Sequence, residues 1–155
     1  MTNVVEQRLT ELGISLPEPI APVANYVPYV VSGNLIFVSG QVPLADGKVQ
    51  MTGLVGAGLT VEQGQEAARL CAVNLIAQAK AACGGDLARI SRVVKLTGFV
   101  ACPADFTDHP NVVNGASDIM VEVFGEVGKH ARAAVGMSSL PLGVPVEVEA
   151  IFEMA

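Results

Sequence analysis

The sequence is poor in charged residues, and poorest in basic ones. Asp, Glu, Lys and Arg make up 15% of the 155 residues, only nine are Lys or Arg, and the formal net charge is −6. Nucleic-acid binding needs clustered basic side chains that neutralise phosphates, whereas these nine are scattered. We therefore expect no nucleic-acid partner. Because apolar residues make up 51% of the chain, we expect an oligomer to cover part of the surface.

The sequence also lacks the features of membrane, secreted and metal-binding proteins. No apolar run is long enough to cross a bilayer, and the first residues (MTNVVEQRLTEL) do not resemble a secretory signal. We expect no membrane partner and a cytoplasmic location. The three cysteines have no metal or redox spacing and are expected to be reduced and buried. His109 and His130 are lone histidines without ligand spacing, so we expect no metal site.

The clearest predicted element is a helix that begins after Thr60. Thr60 is a good N-cap residue, and Gln63 at the third helical position completes a capping box. The segment that follows is rich in alanine and continues to Gly84-Gly85, where two glycines end it. A helix of this composition is expected to pack closely on a sheet.

The remaining elements follow from hydrophobic periodicity and turn residues. A short amphipathic helix is expected from Asn3 to Leu12, within an N-terminal lead-in of residues 1–25, and Asp46-Gly47 predicts a turn. The main elements occur in the order ββ, helix, strand, helix, ββ: strands at 29–31 and 35–39, the helix above, a strand at 90–101, a helix at about 111–124, and two final strands. This order predicts one α+β domain over residues 1–155, a mixed sheet with two helices on one face.

The final two strands carry the main candidate site. We predict that they pair as a hairpin through the Leu-Pro-Leu-Gly turn at 140–143. Alternation places Arg132 on one side of the first strand with Ala134 and Gly136, and it places Glu147 and Glu149 together on the second strand. Direct pairing would then bring Arg132 and both glutamates onto one face of the sheet. A cation beside two carboxylates, among small residues, leaves room for a ligand.

Two stretches resemble the Rid (YjgF-like) family of enamine/imine deaminases. They are ARAAVGMSSLPLGVPVEVEA, from Ala131 to Ala150, and an upstream motif that comprises Asn25-Tyr26 and GNLIFVSGQ, from Gly33 to Gln41. The motifs occur in the family's order, and the resemblance covers about residues 26 to 152. It implies a chorismate-mutase-like fold in which three subunits join their sheets into a central barrel, with clefts between neighbours. It also implies hydrolysis of small 2-imino or enamine acids to 2-oxo acids and ammonia, without a cofactor.

The resemblance assigns roles to individual residues. Arg132 would hold the substrate carboxylate, which fits the two parallel donors of a guanidinium. Glu147 would position or activate water. Tyr26 would line the cleft and orient water, and Ser39 and Gly40 would approach the ligand with their backbone.

Most of these residues also have an ordinary structural interpretation. Arg132 could form a cross-strand ion pair with Glu147 or Glu149. Tyr26 could be a buried aromatic residue near a sheet edge, and Ser39 could simply end a strand. The sequence alone does not decide between these interpretations and the functional ones.

Two positions depart from the family pattern. Ala134 stands where the family commonly has cysteine, so that only its backbone could meet the ligand. The family's asparagine in the second helix falls on Ser117 or Asn114, and the sequence does not decide which. Two other functions stay open: a non-catalytic sensor of small carboxylates such as 2-oxo acids, and an endoribonuclease, against which the acidic charge counts.

Overall fold

The computed structural model describes residues 3–19 and 25–155. Within these ranges the α-helices are α1 (Val4–Glu11), α2 (Val61–Ala82) and α3 (His109–Phe124). The strands are β1 (Tyr29–Ser32), β2 (Leu35–Gln41), β3 (Leu44–Ala45), β4 (Lys48–Val49), β5 (Leu54–Val55), β6 (Gly58–Leu59), β7 (Ile90–Ala101), β8 (Ala131–Met137) and β9 (Val146–Met154).

Five strands form the main sheet, in the order β1-β2-β9-β7-β8. β7 pairs antiparallel with β9 and parallel with β8, so the sheet is mixed. The hydrophobic core lies between one face of this sheet and helices α2 and α3, and every second residue of β9 points into it: Val146, Val148, Ala150 and Phe152. The structure thus confirms the predicted α+β class with two helices on one face.

Local sequence signals fix the position of α2. The Oγ1 of Thr60 accepts a hydrogen bond from the backbone N–H of Gln63 (3.1 Å), and the Gln63 side chain accepts one from the backbone N–H of Thr60 (2.9 Å). This confirms the predicted capping box. Helix α3 crosses α2 so closely that Gly115 has no room for a Cβ against the carbonyl oxygen of Gln65. The two helices are therefore held in a fixed relation above the sheet.

Other local predictions also agree with the structure. Asn3 caps α1 through its side chain, which accepts from the backbone N–H groups of Val5 and Glu6. Asp46 and Gly47 form the turn between β3 and β4, with φ of 53° and 73°. Positive φ at both central residues is what a tight hairpin turn requires.

The predicted hairpin of the last two strands is wrong, because β7 lies between them. Leu96 of β7 is in register with Arg132 of β8 on one side and with Ala150 of β9 on the other. Helix α3 connects β7 to β8 as a crossover, which places β8 beside β7 and parallel to it. The chain then passes through the 3₁₀ turn Pro141–Gly143 and returns on the other side of β7. Local turn residues suggested direct pairing, but the crossover determines the strand order.

Candidate functional site

The strand order places Arg132 and Glu147 on opposite faces of the sheet. Arg132 is in register with Leu96, which is buried under the helices. Glu147 is in register with Phe99 on the face away from the helices, as is Glu149 with Thr97. The expectation that Arg132 and the two glutamates share a face is therefore wrong, since it depended on the hairpin. Among the described residues, Arg132 forms no ion pair with either glutamate.

Arg132 is held against helix α3 by two hydrogen bonds. Its Nη1 donates to Oδ1 of Asn114 (2.8 Å) and to Oγ of Ser117 (3.1 Å). These two residues are three apart on the helix and so face the strand together. The sequence left open which of them takes the place of the family's asparagine, and the structure shows that both contact the arginine. Both bonds use Nη1, so they do not engage the other terminal nitrogen of the guanidinium.

His130 is hydrogen-bonded to the same cluster as Arg132, Asn114 and Ser117. Its membership of this cluster was not predicted from the sequence. Its Nε2 lies 2.8 Å from Oγ of Ser117, and its Nδ1 lies 2.7 Å from the carbonyl oxygen of Gly128. Because His130 does not stand at a metal-ligand spacing from another residue, the sequence offered no reason to assign it a role. Its position two residues before Arg132 was the available signal, because alternate residues of an extended chain share a face.

Small residues continue this face of β8 beyond the arginine. Ala134 and Gly136 follow Arg132 at steps of two, as predicted. A Cβ at Gly136 would lie 2.6 Å from Nε2 of His109 and 3.0 Å from Sγ of Cys102. Burial raises the pKa of Cys102 above its usual value, which disfavours the thiolate. The prediction that all three cysteines are buried is confirmed.

The other predicted site residues line a separate cleft at the end of β2. The cleft has a volume of about 430 Å³, and its walls include Tyr26, Ser39 and Gly40. Tyr26 is 63% exposed, so the alternative of a buried aromatic is wrong. The Oγ of Ser39 donates to the carbonyl oxygen of Val27 (3.1 Å), which ties the strand to the segment that carries Tyr26.

Glu147 lies against this part of β2. The register between β2 and β9 shifts between Val38 and Gln41, an irregularity of the kind often found beside active sites. A Cβ at Gly40 would lie 2.9 Å from Oε2 of Glu147, so a larger residue at this position would displace the Glu147 side chain. Burial, and secondly the charge of Glu149, raise the pKa of Glu147 above its usual value.

Two buried amide side chains from α2 form another wall of the cleft. Asn74 donates through Nδ2 to the carbonyl oxygens of Val42 (3.0 Å) and Leu44 (3.1 Å). Gln78 is 7% exposed, and its Oε1 has no hydrogen-bond partner among the described residues. The cleft wall therefore contains one satisfied amide and one with an unpaired acceptor.

The sheet face away from the helices is partly apolar. Val30, Phe37 and Val135 are 53%, 42% and 39% exposed, and a second cleft of about 290 Å³ on this face is lined by residues that include Lys95 and Glu149. Exposed apolar faces of this kind are typical of interaction sites.

Membrane spans and metal clusters are absent from the parts of the chain that the structure describes. No helix there has the length and apolar character needed to cross a bilayer. No three His, Cys, Asp or Glu residues there are grouped as metal ligands.

Comparison with known proteins places the chain in a family. Residues 6–153 match the family described as "YjgF/chorismate_mutase-like, putative endoribonuclease". The chain is 52% identical over 151 residues to Protein TCP17 of Trypanosoma cruzi, covering 97% of this chain and 94% of that one. It is 54% identical to the solved structure of Atu1372 from Agrobacterium tumefaciens, a protein of unknown function, with a TM-score of 0.92 and coverage of 98% and 94%.

One more distant relative carries the name of an activity. The 2-iminobutanoate/2-iminopropanoate deaminase of Dermatophagoides farinae is 30% identical over 138 residues, covering 89% of this chain and 92% of the relative. The family match extends over nearly the whole chain and over both sequence motifs. The chain therefore belongs to the YjgF (Rid) family, with the chorismate-mutase-like fold that its motifs predicted.

Proposed function

We propose that this protein hydrolyses small 2-imino or enamine acids to 2-oxo acids and ammonia, without a cofactor. The observation that carries the proposal is the guanidinium of Arg132, which Asn114 and Ser117 fix in place while its second terminal nitrogen is left out of those bonds. A positioned arginine fork is suited to a small carboxylate. Similarity to a relative named as a 2-iminobutanoate/2-iminopropanoate deaminase supports the choice of reaction.

We propose further that the active protein is a homotrimer with its sites between subunits. One chain cannot bring Arg132 and Glu147 to the same substrate, because they lie on opposite faces of its sheet. Arg132 lies on β8, an edge strand, so a neighbouring subunit could meet it there. In the proposed site, Arg132 of one subunit faces the Tyr26, Ser39, Gly40 and Glu147 of its neighbour. The exposed apolar residues of the sheet supply a surface to bury in the assembly.

The trimer is expected to be the stable form in solution. Light scattering should report three times the chain mass of 16.0 kDa. A stable monomer at micromolar concentration would contradict both the assembly and the intersubunit site.

In the proposed reaction Arg132 binds the carboxylate and so fixes the position of the imine carbon. Glu147 takes a proton from the attacking water, and its raised pKa makes it a stronger base than an ordinary carboxylate. Tyr26 orients the water, and the backbone of Ser39 and Gly40 closes on the substrate. Ala134 contributes its backbone beside the arginine, without the thiol that is common in the family.

The function is tested with imines that are generated in situ, because they are unstable. An amino-acid oxidase converts an amino acid to its imine, and the release of 2-oxo acid is followed with and without the protein. Faster release is the expected result. Binding of 2-oxobutanoate in a thermal-shift measurement without any acceleration would instead favour the sensor, since Arg132 alone suffices for carboxylate binding. An endoribonuclease is not supported by the net charge of −6.

A further inference from the structure

We infer that Ser117 and His130 form a proton relay to the nitrogen of the substrate that Arg132 holds. The relay rests on the proposed function and adds to it the source of the proton for that nitrogen. The Oγ of Ser117 lies between two partners, Nη1 of Arg132 at 3.1 Å and Nε2 of His130 at 2.8 Å. A hydroxyl so close to the carboxylate-binding arginine is also close to a group on the next carbon of the substrate.

The carbonyl oxygen of Gly128 fixes which nitrogen of His130 carries hydrogen. A carbonyl oxygen can only accept, so the Nδ1 that lies 2.7 Å away must donate, whether the imidazole is neutral or charged. Gly128 itself is seated so tightly on α3 that a Cβ would have no room against the carbonyl oxygen of Met120. The orientation of the ring is therefore set by the fold, and only Nε2 is left to gain or lose a proton.

The protonation of Nε2 decides where the hydroxyl hydrogen of Ser117 points. When His130 is neutral, Nε2 accepts this hydrogen. When His130 is charged, both Nε2 and Nη1 of Arg132 donate to Oγ and occupy its two lone pairs. The hydroxyl hydrogen then turns to a third acceptor, and the nitrogen of an imine whose carboxylate is bound by Arg132 is such an acceptor. Charged His130 therefore makes Ser117 a donor to the substrate.

The protons balance over the two steps of the reaction. As the water oxygen bonds to the imine carbon, Glu147 takes a proton from the water. The electron pair of the C=N bond moves to the nitrogen, which takes the hydroxyl proton of Ser117, and Oγ takes the Nε2 proton of His130. On collapse, Glu147 returns its proton to the nitrogen and the C–N bond breaks to release ammonia. The hydroxyl proton of the intermediate passes through Ser117 back to His130, so both groups are regenerated.

The relay differs from a structural tie between β8 and α3 in what it affects. If these hydrogen bonds only positioned Arg132, removing them would weaken carboxylate binding and lower the stability of the fold. A relay acts on the bonds that change in the reaction, so cutting it lowers kcat and leaves substrate binding in place. Ser117 then acts on the substrate directly, and His130 acts through Ser117.

The kinetic test compares His130→Gln and Ser117→Ala with His109→Gln. His109 is the matched control because it is the other histidine of the chain and also lies at α3, but it contacts Cys102 rather than the relay. With imines made in place by an oxidase, we expect kcat to fall on the order of 10²-fold or more in both relay variants. In His130→Gln we expect KM and the Kd for 2-oxobutanoate to stay within a factor of about three. Ser117→Ala also removes a hydrogen bond to Nη1 of Arg132, so it should weaken binding as well as lower kcat. The control should behave as the wild type.

Because Ser117 and His130 act as one unit, the double variant should be about as slow as either single variant. If His130→Gln does not fold, Ser117→Ala still tests the expected fall in kcat. If either variant folds and keeps the wild-type kcat, the relay is wrong and the proposed deamination stands. If the wild-type protein accelerates no imine hydrolysis, the proposed function fails and the relay fails with it.

A spectroscopic measurement tests the relay without any turnover. ¹⁵N NMR of the two histidines distinguishes the tautomers, and neutral His130 is expected to carry its hydrogen on Nδ1. Detection of the Nε2–H tautomer for neutral His130 would overturn the relay, because Nε2 could not accept the proton of Ser117.

Discussion

The two halves of the proposed site are built in different ways. On β8, side chains hold the arginine: Asn114 and Ser117 bind its guanidinium, and His130 binds Ser117. Beside the cleft at β2, it is the backbone that meets the functional group, because β2 has a register shift and Gly40 lies against the carboxylate of Glu147. The first half is arranged to hold a charge in one geometry. The second half presents the carboxylate of Glu147, whose pKa is raised. A group with a raised pKa is suited to gaining and losing a proton during the reaction.

Neither half suffices for the reaction within one chain. Arg132 and Glu147 lie on opposite faces of one sheet, and the sheet separates them. Altering Arg132 should therefore weaken substrate binding, and altering Glu147 should lower the rate of proton transfer. The two losses should be distinguishable by kinetics.

The largest expected effect is on turnover in the Glu147→Gln variant. The substitution keeps the size of the side chain but removes the base, so turnover should fall roughly 10²–10⁴-fold. Binding of 2-oxobutanoate, measured by calorimetry, should survive or tighten slightly because a negative charge has gone. Glu149→Gln is the matched control on the same strand and should change turnover little. Wild-type turnover in Glu147→Gln would show that Glu147 performs no proton transfer.

The next effect is on binding in the Arg132→Ala variant. Loss of the two-pronged partner should weaken binding of 2-oxobutanoate by about 2–5 kcal/mol, as for truncation of one partner of a buried charge pair. Arg132→Lys should restore binding only partly, since an ammonium does not reproduce the fork. If the folded Ala variant bound 2-oxobutanoate with unchanged affinity, Arg132 would be a structural residue. The β8 half of the site would then have no role in binding.

The smallest effect concerns the amide wall of the cleft. Gln78→Met removes an unpaired buried acceptor and should leave the free energy of unfolding unchanged or raise it by about 1 kcal/mol. Asn74→Leu is the contrasting variant, because it leaves the carbonyl oxygens of Val42 and Leu44 without their donor. It should lower the free energy of unfolding by about 1–3 kcal/mol. Denaturant titration checks both, and destabilisation by Gln78→Met would mean that its amide has a partner in the folded assembly.

Features set by neighbouring residues could be predicted from the sequence. The capping box of Thr60 and Gln63 and the turn at Asp46-Gly47 depend on a few adjacent residues, and both were predicted correctly. The alternation that groups Arg132 with Ala134 is a property of one extended strand, and it too holds in the structure.

Features set by distant pairing could not be predicted in the same way. The residues from Leu140 to Gly143 favour a turn, and nothing local indicates that β7 inserts between the strands on either side. The wrong pairing then moved Arg132 to the face of Glu147. His130 was missed because its partners, Ser117 and the carbonyl of Gly128, are brought to it by the docking of α3 and the turn that follows.

In the proposed site Arg132 comes from one subunit and Glu147 from another, and mixing of subunits tests this arrangement. Arg132→Ala and Glu147→Gln proteins, each strongly impaired alone, are unfolded together in equal amounts, refolded and assayed for imine hydrolysis. Random assembly of a cyclic trimer pairs an intact arginine with an intact glutamate in about one quarter of the sites, so about one quarter of wild-type activity should return. If both residues served a site within one chain, no mixed assembly would contain an intact site. Mixed trimers that stay inactive would contradict the intersubunit site.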